Sequence, residues 1–224
     1  MKLTDNDVSK WFDFLGYGNP EAQLWFVGIE PGGPAACGPP KISEKWSLQG
    51  NASQTLYYDP KPSKEDRSPT WTMVEEILKH ADCNRGDPTS QCIWERVMLA
   101  NMAPLPRRST GGDHGGMQQK SYVQAVRECR IPELKYFFDS LPELRAMIFF
   151  GSTAWRRYAV PGAFGINTAE CERLKSVKTI LVHKAPSGRL VVLMHHPSHG
   201  HVPQGDRKVL AQRLSREPWW KAAP

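Results

Sequence analysis

Gln23-Leu24-Trp25-Phe26-Val27-Gly28-Ile29, followed at once by Glu30-Pro31-Gly32-Gly33, decides how this chain is read. The first seven residues are a continuous apolar run of strand length with no polar alternation. That is the form of a strand covered on both faces, as in a parallel sheet. The carboxylate, the proline and the two glycines then stop the strand and start a shaped loop. In an open α/β sheet, ligands bind outside the carboxyl ends of the strands. A second run, Leu190–Met194, ends in the same way at His195-His196-Pro197-Ser198. A carboxylate and an imidazole at two strand ends would face one crevice, where they could act on a small polar group.

Outward from these runs the chain alternates helical and strand patterns. Residues 5–15 follow an N-cap-like Thr4-Asp5 and carry Val8, Trp11, Phe12 and Leu15 at helical spacing. Gly16-Tyr17-Gly18-Asn19-Pro20 ends that helix. Residues 31–70 are rich in Pro, Gly, Lys and Ser without periodicity, and a loop of that length is either functional or disordered. A helix is expected over 71–81, with Met73, Val74, Ile77 and Leu78 on one face, then a strand over 97–100 ending at Asn101. Residues 104–120 are too polar and glycine-rich to pack. Helix follows over 131–141, with Pro132 suited to a first turn. Ala146–Phe150 reads as a strand that enters a helix over 151–158 through a glycine turn. Strands over 179–183 and 190–194 and a basic helix over 204–216 complete the chain. The expected fold is one α/β domain spanning 1–224, with helices on both faces of a central, mostly parallel sheet of four to five strands: a three-layer α/β/α arrangement.

The 224 residues suit a single core, and 40% apolar content is ordinary for such a domain. Together, 19 prolines and 18 glycines forecast long, shaped loops. The net charge of +6 has two readings, a solvated basic surface or a polyanion partner. None of the five cysteines forms a C-x-x-C, so neither a zinc knuckle nor a redox pair is indicated. Cys83 and Cys92 are near enough in sequence to be metal ligands, or they are buried free thiols. An odd cysteine count without a secretory leader pattern leads to the expectation of a cytoplasmic protein. No apolar stretch approaches the roughly 20 residues of a membrane span.

Four strand ends carry the unusual residues: Glu30, Asn101, Gly151-Ser152 and His196. Each alone has an ordinary reading as a solvated carboxylate, a turn asparagine, a helix start or a histidine satisfied by backbone. An acidic residue at a buried strand end gains nothing unless something pairs with it. Their recurrence at successive strand ends points to a shared site.

In this order the segments resemble the uracil-DNA glycosylase superfamily. Gly28-Ile29-Glu30-Pro31-Gly32 is similar to its motif A, and Leu193-Met194-His195-His196-Pro197-Ser198 to its motif B. Val97 to Leu105, with Asn101-Met102-Ala103-Pro104-Leu105, resembles the strand ending in a base-reading Asn, in wording closest to the single-strand-selective monofunctional branch. Ile148-Phe149-Phe150-Gly151-Ser152 also fits the pattern, and the resemblance covers roughly residues 23–214. It implies a DNA partner, a monomeric enzyme, and hydrolysis of an N-glycosidic bond with no metal or other cofactor. Glu30 would orient or deprotonate the attacking water, and His196 would donate a hydrogen bond to the departing base. Asn101 would read the base edge after flipping. Ile29 and Gly32 would line the base, and Trp46, sixteen residues after Glu30, falls nearest the stacking aromatic. Trp46 reads equally as a core anchor. Ser198, His199, Ser152, Arg107 and Arg108 would contact DNA.

Departures from the family pattern carry information. The acidic position most often holds Asp or Asn, so Glu30 has a longer reach. Members strict for uracil place a Tyr after the motif A proline to block groups on pyrimidine C5, where this chain has Gly32-Gly33. The pocket is therefore expected to admit C5-modified pyrimidines, including bulky hydroxymethylated or glucosylated bases of the kind carried by some phage genomes. The spacing of the cysteines does not suit an iron–sulfur cluster, and Arg107-Arg108-Ser109 lacks the His of the branch that traps DNA covalently. Two rivals stand beside this expectation: a catalytically silent nucleic-acid binder of the same fold, and an unrelated α/β hydrolase or nucleotide binder using Glu30-Pro31-Gly32-Gly33 as an anion loop. That loop lacks the Lys-Ser/Thr of a P-loop.

Overall fold

Four apolar runs form the middle of the sheet because none of them has a face to show to water. In the computed structural model, which describes residues 5–29, 44–47, 56–60, 69–83, 93–105, 119–196 and 203–220, these are β2 (Leu24–Gly28), β5 (Val97–Asn101), β6 (Ala146–Phe150) and β9 (Leu190–Met194). They lie parallel in the order β5-β2-β6-β9, and nearly every position is buried. Beyond β5 come β1 (Phe14–Gly18), β4 (Leu56–Asp59) and β3 (Glu44–Trp46); beyond β9 come β8 (Ile180–Lys184) and β7 (Glu172–Arg173).

Successive residues of a strand point to opposite faces, so each central strand feeds two buried clusters. Trp25, Val27, Met98, Ala100, Met147, Phe149, Val191 and Leu193 join one of them. There they meet α1 (Asp5–Asp13), α4 (Gln119–Ala125), α5 (Ile131–Ser140), α6 (Ser152–Arg157) and α7 (Val160–Ala163). Leu24, Phe26, Val97, Leu99, Ile148, Phe150, Val192 and Met194 join the other, with α2 (Pro69–Cys83), α3 (Ile93–Arg96) and α8 (Gln204–Ser215). Arg96, immediately before β5, grips Asp82 near the end of α2 through two bonds of 2.6 and 2.8 Å, which fixes where β5 begins.

The sheet corrects two expectations. It has nine strands rather than four or five, and among the described residues its pairings divide equally, four parallel and four antiparallel. The extra strands are short, and most carry the polar residues that edge positions favour, so they leave no apolar run to read. The first helix stops at Asp13, not at residue 15, and Phe14–Gly18 forms β1. Glycine makes this strand possible. At Gly16 (φ 147°) a Cβ would lie 1.9 Å from the Leu99 carbonyl oxygen, and at Gly18 (φ 95°) 2.3 Å from that of Val97. Side chains there would push β1 off β5.

The 31–70 stretch contributes β3, β4 and the start of α2. From the 104–120 stretch, Leu105 is buried and α4 begins at Gln119. Cys83 is exposed, not buried as a structural thiol would be, and Cys92 lies outside the described residues. Among the described residues no three His, Cys, Asp or Glu gather into a metal-binding group, and no helix is long and apolar enough to cross a membrane.

Gly16→Ala is expected to destabilise the chain by about 3 kcal/mol or more, from the positive φ and the overlap with β5 together. Urea unfolding monitored by tryptophan fluorescence measures this; a loss under about 1 kcal/mol would contradict the β1–β5 approach.

Candidate functional site

The order β5-β2-β6-β9 contains one reversal. From β2 the chain goes to β5 on one side, and its next central strand, β6, lies on the other side of β2. The carboxyl ends of β2 and β6 therefore flank a topological switch point, the place where open α/β sheets form a ligand-binding crevice.

Hydrogen bonds beyond the strands hold these ends level. Gly28 is in register with Asn101, the Met102 N–H donates to the Gly28 carbonyl at 2.8 Å, and the Ala103 N–H to that of Ile29 at 2.9 Å. Across the switch point the Gly151 N–H donates to the Met194 carbonyl at 2.8 Å. The chain therefore leaves Ile29 and Asn101, turns at Gly151 and enters His195-His196 from one shared edge.

Gly28 makes room for Asn101: a Cβ there would stand 3.2 Å from Asn101 Oδ1, so the amide lies over the end of β2. Asn101 is half-buried, with one donor group and one acceptor on its amide. His196 is half-buried too, and its ring packs against Phe150 with centroids 6.1 Å apart at 66°. By strand alternation Gly28, Asn101 and His196 all fall on the face covered by α2 and α8.

Other anticipated residues sit differently. The Ile29 side chain packs over Gly151 (φ 91°), where a Cβ would meet Ile29 Cδ1 at 2.6 Å, so it is its backbone that borders the crevice. Ser152, the first residue of α6, lies with its Oγ 3.4 Å from His195 Nδ1; sequence reasoning does not single out His195, although it adjoins His196. Trp46 is half-buried on the opposite core face, with its ring edge-to-face on Phe137 (centroids 5.5 Å apart), which packs in turn on Trp25. This is the packing of a core anchor. Glu30, Gly32, Arg107, Arg108, Ser198 and His199 lie outside the described residues.

Arg130 is a second residue that sequence reasoning missed. It is 1% exposed, and its Nε donates to the Asn101 carbonyl at 3.1 Å. Its Nη2 donates to the carbonyls of Leu15 (3.0 Å) and Phe14 (3.3 Å), and its Nη1 to Glu133 Oε2 at 2.6 Å. A buried guanidinium is tolerable only when paired and hydrogen-bonded in this way. It clamps β1 and the end of β5 to α5. Arg130 closes a π-helical turn, Val126–Arg130, in which the Ile131 N–H reaches back to the Val126 carbonyl. Pro132 follows; it has no N–H to give, and its ring crowds the carbonyl four residues back, so the widened turn relieves the clash. In the sequence Arg130 and Glu133 look like an exposed i,i+3 pair, and nothing in their spacing signals burial.

An amide on β5 and an imidazole after β9, at the edge where the chain runs on from Ile29, suit a planar polar ligand read by hydrogen bonds at its edge. Neither the models of known protein families nor the curated proteins include a match to this chain.

Arg130→Met should cost about 3–5 kcal/mol, because it takes the buried guanidinium away from Glu133 and frees three carbonyls. Adding Glu133→Leu should recover part of that loss. Denaturant unfolding of both variants checks this; a near-neutral single variant would contradict the clamp.

Proposed function

We propose that this chain is a monofunctional DNA glycosylase that hydrolyses the N-glycosidic bond of a flipped uracil or C5-modified pyrimidine. The observation that carries the reading is the common edge at the switch point, where Gly28, Asn101 and His196 share one face and Glu30 follows Ile29 directly. It is supported by the ordered resemblance of the motifs at those same strand ends. In this reading the fold is the three-layer α/β/α arrangement of that superfamily, working as a cytoplasmic monomer on DNA.

In the reaction, the bond between sugar C1′ and the pyrimidine nitrogen breaks with its electron pair leaving on the base. Water adds to the oxocarbenium-like sugar, and Glu30 takes the water's proton and stabilises the cationic sugar. His196 donates to the carbonyl oxygen on which charge develops, and Asn101 fixes the base by its edge. In this reading Gly32-Gly33, with no side chain where strict members carry a blocking aromatic, gives pyrimidine C5 space. The substrates that use this space are hydroxymethylated and glucosylated pyrimidines, which would assign the enzyme to defence against DNA with modified bases; release of uracil alone would assign it to base-excision repair. Glycosidic hydrolysis needs both a base and an electrophile, which a silent nucleic-acid binder does not.

Single-turnover base release tests the assignment. Glu30→Gln should lower the rate about 10²–10⁴-fold and His196→Ala about 10²–10³-fold. DNA affinity should stay within a few-fold of the unaltered chain in both. Near-unchanged rates in both variants would overturn the site; no release by the unaltered chain, with DNA bound, would leave the silent binder.

A further inference from the structure

On the core face away from Asn101 and His196, α4, the π turn and the end of α6 enclose an open cavity of about 730 Å³. It is lined by Lys120, Val123, Gln124, Arg127, Glu128 and Arg157. Three cations face one carboxylate there. Gln124 Nε2 donates to Glu128 Oε1 at 2.6 Å, and Arg127 Nε donates to the Arg157 carbonyl at 2.8 Å, which aligns one guanidinium beside the other residue. Among the described residues none of the three cations forms an ion pair. Like charges gathered in a concavity repel one another, and an anion relieves that repulsion. With one apolar side chain in its lining, the cavity lacks the walls that hold a small apolar ligand.

Its position relative to the switch point narrows the anion. α6 starts at Ser152, directly after the end of β6, so Arg157 lies about 7.5 Å farther along that helix. α4 is tied to the chain leaving β5 by the Leu105 N–H, which donates to Tyr122 Oη at 2.8 Å. One wall of the cavity thus follows the end of β6, and the other is tied to the chain leaving β5.

We propose that the Lys120–Arg127–Arg157 cavity binds phosphodiester groups of a nucleic acid strand that continues past the crevice. This rests on the nucleic-acid reading given above, though not on base hydrolysis. The cavity positions the strand and takes no part in chemistry.

Fluorescence anisotropy with a labelled duplex, between about 50 and 200 mM salt, tests it through counterion release. Lys120→Ser/Arg127→Gln/Arg157→Gln should reduce the slope of log affinity against log salt by about 2–3, near 0.9 for each phosphate no longer neutralised. Lys120→Ser/Arg127→Gln, at two exposed positions, should reduce it by about 2 and serves if the triple variant folds poorly. A control removes the same charge at the far edge of the sheet, Arg173→Gln/Lys175→Ser/Lys178→Ser, and should leave the slope within about 0.5 of its original value. An unchanged slope in the cavity variants overturns the proposal, and so does an equal fall in the control, which would mean net charge alone. Base release measured on the unaltered chain judges the glycosylase reading separately. Absent release together with the expected slopes would sink that reading and keep this one.

Discussion

The register of the four central strands sets where every loop of interest begins. β5, β2, β6 and β9 are parallel and buried on both faces, so a slip of one residue would turn each strand's two side-chain sets onto the wrong cores. The pairing of Gly28 with Asn101 and of Phe150 with Met194 therefore does more than complete a ladder. It puts the exits of these strands at one level, and the bonds from Met102, Ala103 and Gly151 carry that alignment one or two residues into the loops. A site assembled from single residues on separate loops needs such a shared origin, because side-chain reach cannot make up for a strand end several ångströms out of place.

Arg130 extends this constraint to β1, on the far side of β5 from β2. β1 meets β5 through two glycines that bring backbone within reach of backbone, an approach with few side chains to lock it. The guanidinium supplies the lock: it joins carbonyls of β1 and β5 to the start of α5 and is itself balanced by Glu133. Because one of its acceptors is the Asn101 carbonyl, the same ion holds the residue that borders the crevice. The π turn that delivers Arg130 also forms a wall of the basic cavity, so one irregular helix serves both features.

What the sequence made legible follows from burial. β2, β5, β6 and β9 are read within one residue of their ends because strands buried on both faces leave unbroken apolar runs. β1 escapes because its Phe14-Leu15 completes a helical pattern and its glycines look like a stop signal. β3, β4 and β7 escape because strands of two to four residues, several of them polar, carry no period. The positions of Asn101 and His196 at strand ends are legible because apolar runs lead into them. Arg130 is not, since its burial depends on partners 29 and 115–116 residues away in the chain. Of the two readings of Trp46, stacking aromatic or core anchor, its contact with Phe137 accords with the second, which spacing alone does not separate from the first.

An amide and an imidazole brought to one edge, together with Glu30 and Gly32-Gly33 in the sequence that follows β2, underlie the proposal of glycosidic hydrolysis in a pocket open at pyrimidine C5. The most direct measurement is mass spectrometry of free bases released by the unaltered chain from DNAs holding uracil, hydroxymethyluracil, mismatched thymine, or hydroxymethylcytosine with and without glucose. The account predicts a free C5-modified pyrimidine among the products. DNA bound with no base released from any member of the panel would contradict it.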